Sequence, residues 1–197
     1  MGNRDDLLAG ARRCLIEKGF ARTTVRDIAA AAGGVSMAAI GYHFGSREEL
    51  LNAALVDAMS ELSDEITAGL AEVGADAGPA ERYRALWRRM IDSFRQHRTL
   101  WLANLEALVQ AEHSPRLRDQ LVAGQREGRR GLAAGLLGVP EDTVDEAAVR
   151  TVGSLQLALL LGAATQWLTD PDRAPTADDL DAGLRTLADL LAAPTRR

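Results

Sequence analysis

Apolar residues recur at three- and four-residue spacing along almost the whole 197-residue chain, and alternating runs of β-branched and aromatic residues are nearly absent. That period fits one face of an α-helix and does not fit a strand, whose side chains alternate every second residue. The chain is therefore expected to be all-α, with about nine helices separated by local punctuation. A first helix over 4–18 places Leu7, Leu8, Ala11, Cys14 and Leu15 on one face, with Gly19 as its C-terminal cap and Phe20 folded back as a core plug. Thr24, with Asp27 three residues on, is a capping-box pattern opening a short helix that buries Val25, Ile28, Ala29 and Ala32 and stops at Gly33-Gly34. Ser36 can cap a second short helix through about Tyr42, with Val35, Ala39 and Ile40 inward.

Gly45-Ser46 breaks the chain again, and Ser46 with Glu49 opens a long helix over about 47–73. Residues 74–79 read as a loop, and Pro79 suits the first turn of a helix running to about His97. Further helices are expected over 100–112, 115–137, 144–168 and 177–192. The apolar run 152–168 is shorter than the roughly 20 residues a bilayer span needs and reads as a buried helix, so no membrane contact is expected.

Bulk composition, 47% hydrophobic and 26% charged, is that of a soluble globular protein. The single Cys14 excludes an internal disulfide and a thiolate metal cluster, and fits a reducing compartment. The start carries acids and no apolar run of signal-peptide length, so a cytoplasmic protein is expected. A formal charge of −5 runs against nucleic-acid binding, but its distribution does not: residues 1–50 carry seven Lys+Arg against six Asp+Glu, and the acid excess lies downstream. A near-neutral head and an acidic body confine any DNA contact to one end. No nucleophile–base pair, metal-ligand cluster or phosphate loop points to an enzyme or to a cofactor.

Two short helices around a glycine turn, braced by a longer first helix, meet the steric requirement of a helix-turn-helix. The segment TTVRDIAAAAGGVSMAAIGYHFGSREELL closely resembles the N-terminal signature of the tetracycline-repressor (TetR) family of bacterial transcription regulators. The resemblance is strong over about Leu7 to Leu55 and architectural beyond it. It implies a helix-turn-helix DNA-binding domain over 1–46 and a helical effector-binding and dimerisation domain over 47–197. The implied DNA contacts are Thr24, Arg26, Ser36, Met37, Ala38, Ala39, Tyr42, His43 and Arg47, with Tyr42, His43 and Arg47 on phosphates. The turn carries Gly33 and Gly34 where the family usually has one glycine, so the extra residue is absorbed in the turn or shifts the recognition helix. Gly41 stands where the family often has an aromatic phosphate contact, a role Tyr42 can take. Met37, Ala38 and Ala39 offer no bidentate base pairing, so thymine methyl contacts, Arg26, Tyr42 and DNA shape are expected to carry specificity.

In the body, the resemblance implies a pocket for a small apolar or aromatic effector, for which Trp87, Met90, Phe94, Trp101, Asn104, Leu105, Gln125 and Gln156 are the candidates. It also implies a two-fold dimer built from the last two helices, with Leu155, Leu159, Gly162, Ala163, Trp167, Leu184, Leu187 and Leu191 at the interface. The expected protein is a homodimeric regulator, a repressor released from a palindromic operator by its effector. The competing expectation is a protein-binding helical adaptor with a degenerate DNA-binding head.

Overall fold

The computed structural model describes residues 3–71, 73 and 77–193. Among these there is no strand, and nine helices follow one another: α1 (Asn3–Lys18), α2 (Val25–Ala31), α3 (Met37–Phe44), α4 (Arg47–Ala71), α5 (Pro79–Gln96), α6 (Arg98–Gln110), α7 (Pro115–Leu137), α8 (Glu146–Thr169) and α9 (Ala177–Ala192). Most ends fall where local chemistry sets them. Thr24 and Thr176 each close a reciprocal capping box with the Asp three residues on, and Pro79 and Pro115 occupy first helical positions, where a missing N–H costs nothing. Positions 74–76 of the expected loop lie outside the described residues. Two features were not anticipated: a 3₁₀ turn at Glu141–Thr143 and a π-helical segment, Val149–Gly153, inside α8.

The chain forms two compact units, one of Met1–Asp64 and His97–Glu127, the other of Glu65–Gln96 and Gly128–Arg197. In the first unit, α1 packs against α2, α3 and α6. Leu7, Leu15, Ile28, Leu50, Leu51 and Leu55 are its most deeply buried aliphatic residues near the chain start. The α1–α2 approach is unusually close: a Cβ placed on Gly10 would lie 2.8 Å from the Ala32 nitrogen and 2.9 Å from the Ile28 oxygen. A side chain of any size at position 10 would hold the two helices apart.

In the second unit α5 packs against α8 and α9. Arg84 pairs with Asp181 at 3.1 Å, and the Arg95 guanidinium lies 4.5 Å from the Trp167 ring centroid. The Trp167 indole donates to the Pro175 carbonyl at 3.0 Å. The apolar run 152–168 belongs to a continuous helix of 24 residues, long and apolar enough by length and composition to cross a membrane. Its inward stripe, Leu160, Ala163, Ala164, Trp167 and Leu168, is nevertheless buried in protein, while Leu155 is 52% exposed.

Candidate nucleic-acid interface

The Thr24 hydroxyl accepts from the Asp27 amide at 3.1 Å and donates to the Asp27 carboxylate at 2.6 Å, and the Thr24 amide donates to the same carboxylate at 2.8 Å. Lys18 Nζ stands 2.5 Å from the other carboxylate oxygen. Lys18 first, and then Thr24, hold the Asp27 carboxyl far below the usual carboxylate range. The capping role of Thr24 is thus present in full, and its hydroxyl proton is already committed.

Both turn glycines have positive φ, +82° at Gly33 and +86° at Gly34, and a Cβ on either would meet nothing. Two consecutive residues of positive φ make the turn, and α3 begins at Met37. Ser36 caps it, its Oγ accepting from the Ala38 amide at 3.3 Å. Ile40 and Phe44 anchor α3 inward, so the opposite flank faces out. On that flank Ala38 and Gly41 are exposed, Met37 is 51% exposed and Tyr42 is 85% exposed. Ala39 and His43 are half-buried, and the Tyr42 and His43 rings meet edge-on at 4.9 Å.

The cations of the head divide sharply. Arg12 pairs with Glu61, Arg13 donates to the Ala31 carbonyl, Lys18 binds Asp27, and Arg22 donates to the Lys18 carbonyl. Arg4 lies over the Phe44 ring at 5.2 Å and near Asp5. Arg47, expected as a phosphate donor, is held inside the head instead. Its Nε donates to the Thr23 carbonyl and its Nη2 to the Phe20 carbonyl, both at 2.5 Å, and its Nη1 pairs with Glu48 at 2.9 Å. The cause is spatial: the first turn of α4 lies beside the α1–α2 connection, where two main-chain carbonyls need donors. Arg26, on the exposed side of α2, is the one cation among 1–50 that makes no hydrogen bond or ion pair among the described residues.

The residues proposed from sequence for the body are distributed over both units. Trp87, Met90 and Phe94 on α5 and Gln156 on α8 are buried in the second unit. Trp101 is buried in the first, where Asn104, Leu105 and Gln125 are half-buried. Of the residues expected at a dimer interface, Leu155, Gly162, Leu187 and Leu191 are exposed, and Leu159 and Leu184 are half-buried. Ala163 and Trp167 are buried within the chain, Trp167 beside Arg95 and the Pro175 carbonyl. Leu190, three residues on from Leu187, is 67% exposed as well. Among the described residues no group of three or more His, Cys, Asp or Glu could hold a metal ion.

Comparison with known proteins agrees with this head. The family of bacterial regulatory proteins of tetR type matches residues 7–54, and the MftR C-terminal domain family matches residues 107–192. The transcriptional regulator BetI of Rhizobium meliloti is 31% identical over 193 residues, covering 94% of this chain and 91% of its own length. The transcriptional repressor AcnR of Corynebacterium glutamicum is 38% identical over 84 residues, 43% of this chain. The chain spans 40–57% of the length of the AcnR repressors it matches. A transcriptional regulator from Rhodococcus sp. Rha1 shares the fold, with a TM-score of 0.64 at 24% identity, over 95% of this chain and 97% of that one. A helix-turn-helix whose outer helix is left bare, followed by helices matched along nearly the whole of a known regulator, makes this chain a member of the TetR family of transcriptional regulators.

Proposed function

We propose that this regulator is a homodimeric, cytoplasmic repressor that binds a palindromic operator through residues 1–46 and is released when a small effector binds residues 47–197. The observation that carries the DNA reading is Arg26, the uncommitted cation of the head, alongside the exposed flank of α3. In this reading Arg26 contacts a phosphate or a base edge, and Met37, Ala38 and Ala39 lie against thymine methyl groups. Ser36, Tyr42 and His43 contact the backbone, while Thr24 and Arg47 hold the head in shape.

The dimer reading is supported by the leucines that α8 and α9 leave exposed, Leu155, Leu187, Leu190 and Leu191, with the exposed Gly162 seven residues on from Leu155 along α8. Release requires that the effector bind the conformation unable to span two half-sites more tightly than the competent one. The test is selection of bound fragments from genomic DNA, followed by a salt titration of the enriched site. Enrichment of a palindrome whose binding weakens steeply with salt is the expected result. Failure to enrich any fragment would overturn the repressor reading in favour of the adaptor.

A further inference from the structure

The glycine at position 41 has no cause inside the chain. It lies within α3, its φ is not positive, a Cβ there would meet nothing within 4 Å, and its carbonyl accepts an ordinary helical bond from the Gly45 amide at 3.0 Å. Glycine nevertheless weakens a helix relative to alanine, because it loses more backbone freedom on folding. The absent side chain leaves open a space that the fold itself does not use.

Ile40 and Phe44, both buried, fix the rotation of α3 about its axis. At 3.6 residues per turn the exposed residues then follow one another around the helix in the order Met37, Gly41, Ala38 and Tyr42, across about 140°. Two small residues thus lie between two large ones, of which Met37 is 51% exposed and Tyr42 85%. The Tyr42 ring is steadied by the edge-on His43 ring.

The chemistry of this surface selects its occupant. Met37, Ala38 and Gly41 carry no side-chain hydrogen-bond donor, and a thioether is only a weak acceptor. The Ser36 hydroxyl at the start of the helix already accepts from the Ala38 amide at 3.3 Å. Base edges that need a bidentate partner find none here. The apolar group that the major groove displays is the C5 methyl of thymine, which packs against small apolar side chains. Cytosine has no such group, but 5-methylcytosine projects a methyl from the same ring position.

We propose that Gly41 and Ala38 form a shallow apolar seat, walled by Met37 and Tyr42, that reads C5 methyl groups in the major groove, so that 5-methylcytosine can take the place of thymine there. This rests on the operator reading above and narrows it to the group that is read. Binding then follows the methyl and not the identity of the base that carries it.

The experiment uses the full chain and the shortest genomic fragment enriched by the selection described above. Each thymine in turn is replaced by uracil, which deletes only the C5 methyl, by cytosine, and by 5-methylcytosine, with guanine placed opposite the last two. Affinities are read by fluorescence anisotropy. At one or more positions, uracil and cytosine are expected to weaken binding about fourfold, the contribution of one buried methyl, while 5-methylcytosine binds within about twofold of thymine. Gly41→Ala fills the seat. It should bind the thymine fragment about fivefold or more weakly, with its preference for thymine over uracil falling towards one, while melting at or above the wild type. Met37→Ala removes a wall and should lower the same preference. Uracil that matches thymine at every position would overturn the proposal, as would 5-methylcytosine that binds as weakly as cytosine wherever uracil weakens binding. A Gly41→Ala protein that keeps the wild-type preference would overturn it too, because the methyl would then be read elsewhere. Failure of the operator reading looks different: no fragment is enriched at all, and the proposal falls with it.

Discussion

Glycine-to-alanine exchange at two helical positions of the head should have opposite effects, and the sign follows from the space around each. At Gly10 a Cβ would lie 2.8 Å from the Ala32 nitrogen and 2.9 Å from the Ile28 oxygen, against roughly 3.5 Å for a relaxed contact. Both obstacles are main chain, so no rotamer change relieves them and α1 must move away from α2. Overpacking of this kind costs about 1–3 kcal/mol, while alanine in a helix returns about 1 kcal/mol. The clash wins or roughly balances, for a net loss of up to about 2 kcal/mol and a fall in melting temperature of up to about 8 °C for a chain of this size. At Gly41 a Cβ would meet nothing within 4 Å, and the residue has no positive φ. There only the helix propensity acts, and Gly41→Ala should melt about 1–4 °C higher. Calorimetry of the three proteins, paired with fluorescence anisotropy on an operator fragment, reads both effects. A Gly10→Ala protein melting above the wild type would refute the claim that the α1–α2 contact has no room.

Other consequences can be checked with the same purified proteins. Arg26→Ala should weaken operator binding by about 1–3 kcal/mol with an unchanged melting temperature; unchanged affinity removes Arg26 from the interface. Replacing Leu187 and Leu191 together by Glu should convert a dimer to a monomer in analytical ultracentrifugation, and a persistent dimer would place the interface elsewhere. The depressed Asp27 carboxyl stabilises the fold above the ordinary aspartate pKa of about 3.9, and that contribution is lost as pH falls through its lower native value. Wild type should therefore exceed Asp27→Asn in melting temperature at pH 6, with the gap closing only in strong acid. Trp167→Phe removes the bond to the Pro175 carbonyl and should cost about 1–2 kcal/mol, measured by urea unfolding.

Helix boundaries were legible wherever one or two neighbouring residues decide them, as at Thr24, Ser36, Pro79 and Pro115. The 3₁₀ turn and the π segment were not, because no local pattern at Glu141–Thr143 or Val149–Gly153 encodes them. Helix α8 is apolar around much of its circumference, so its periodicity could not say that Trp167 turns inward while Leu155 remains outside. Arg47 shows a different limit. Its position in the motif suggested phosphate, and only the third dimension places the Phe20 and Thr23 carbonyls within its reach.

That arginine also bears on how a signal can travel. Two donors of one rigid, planar group join the first turn of α4 to main-chain carbonyls at Phe20 and Thr23, within the connection between α1 and α2, while the third pairs with Glu48 on α4 itself. A displacement of that turn cannot be dissipated by loosening the connection unless charge-assisted bonds break. The head should then answer as a solid piece rather than by partial melting, and amide exchange in α2 and α3 should stay the same whether or not the regulator is switched. The switched state would differ in the angle at which the piece is presented, not in its internal order.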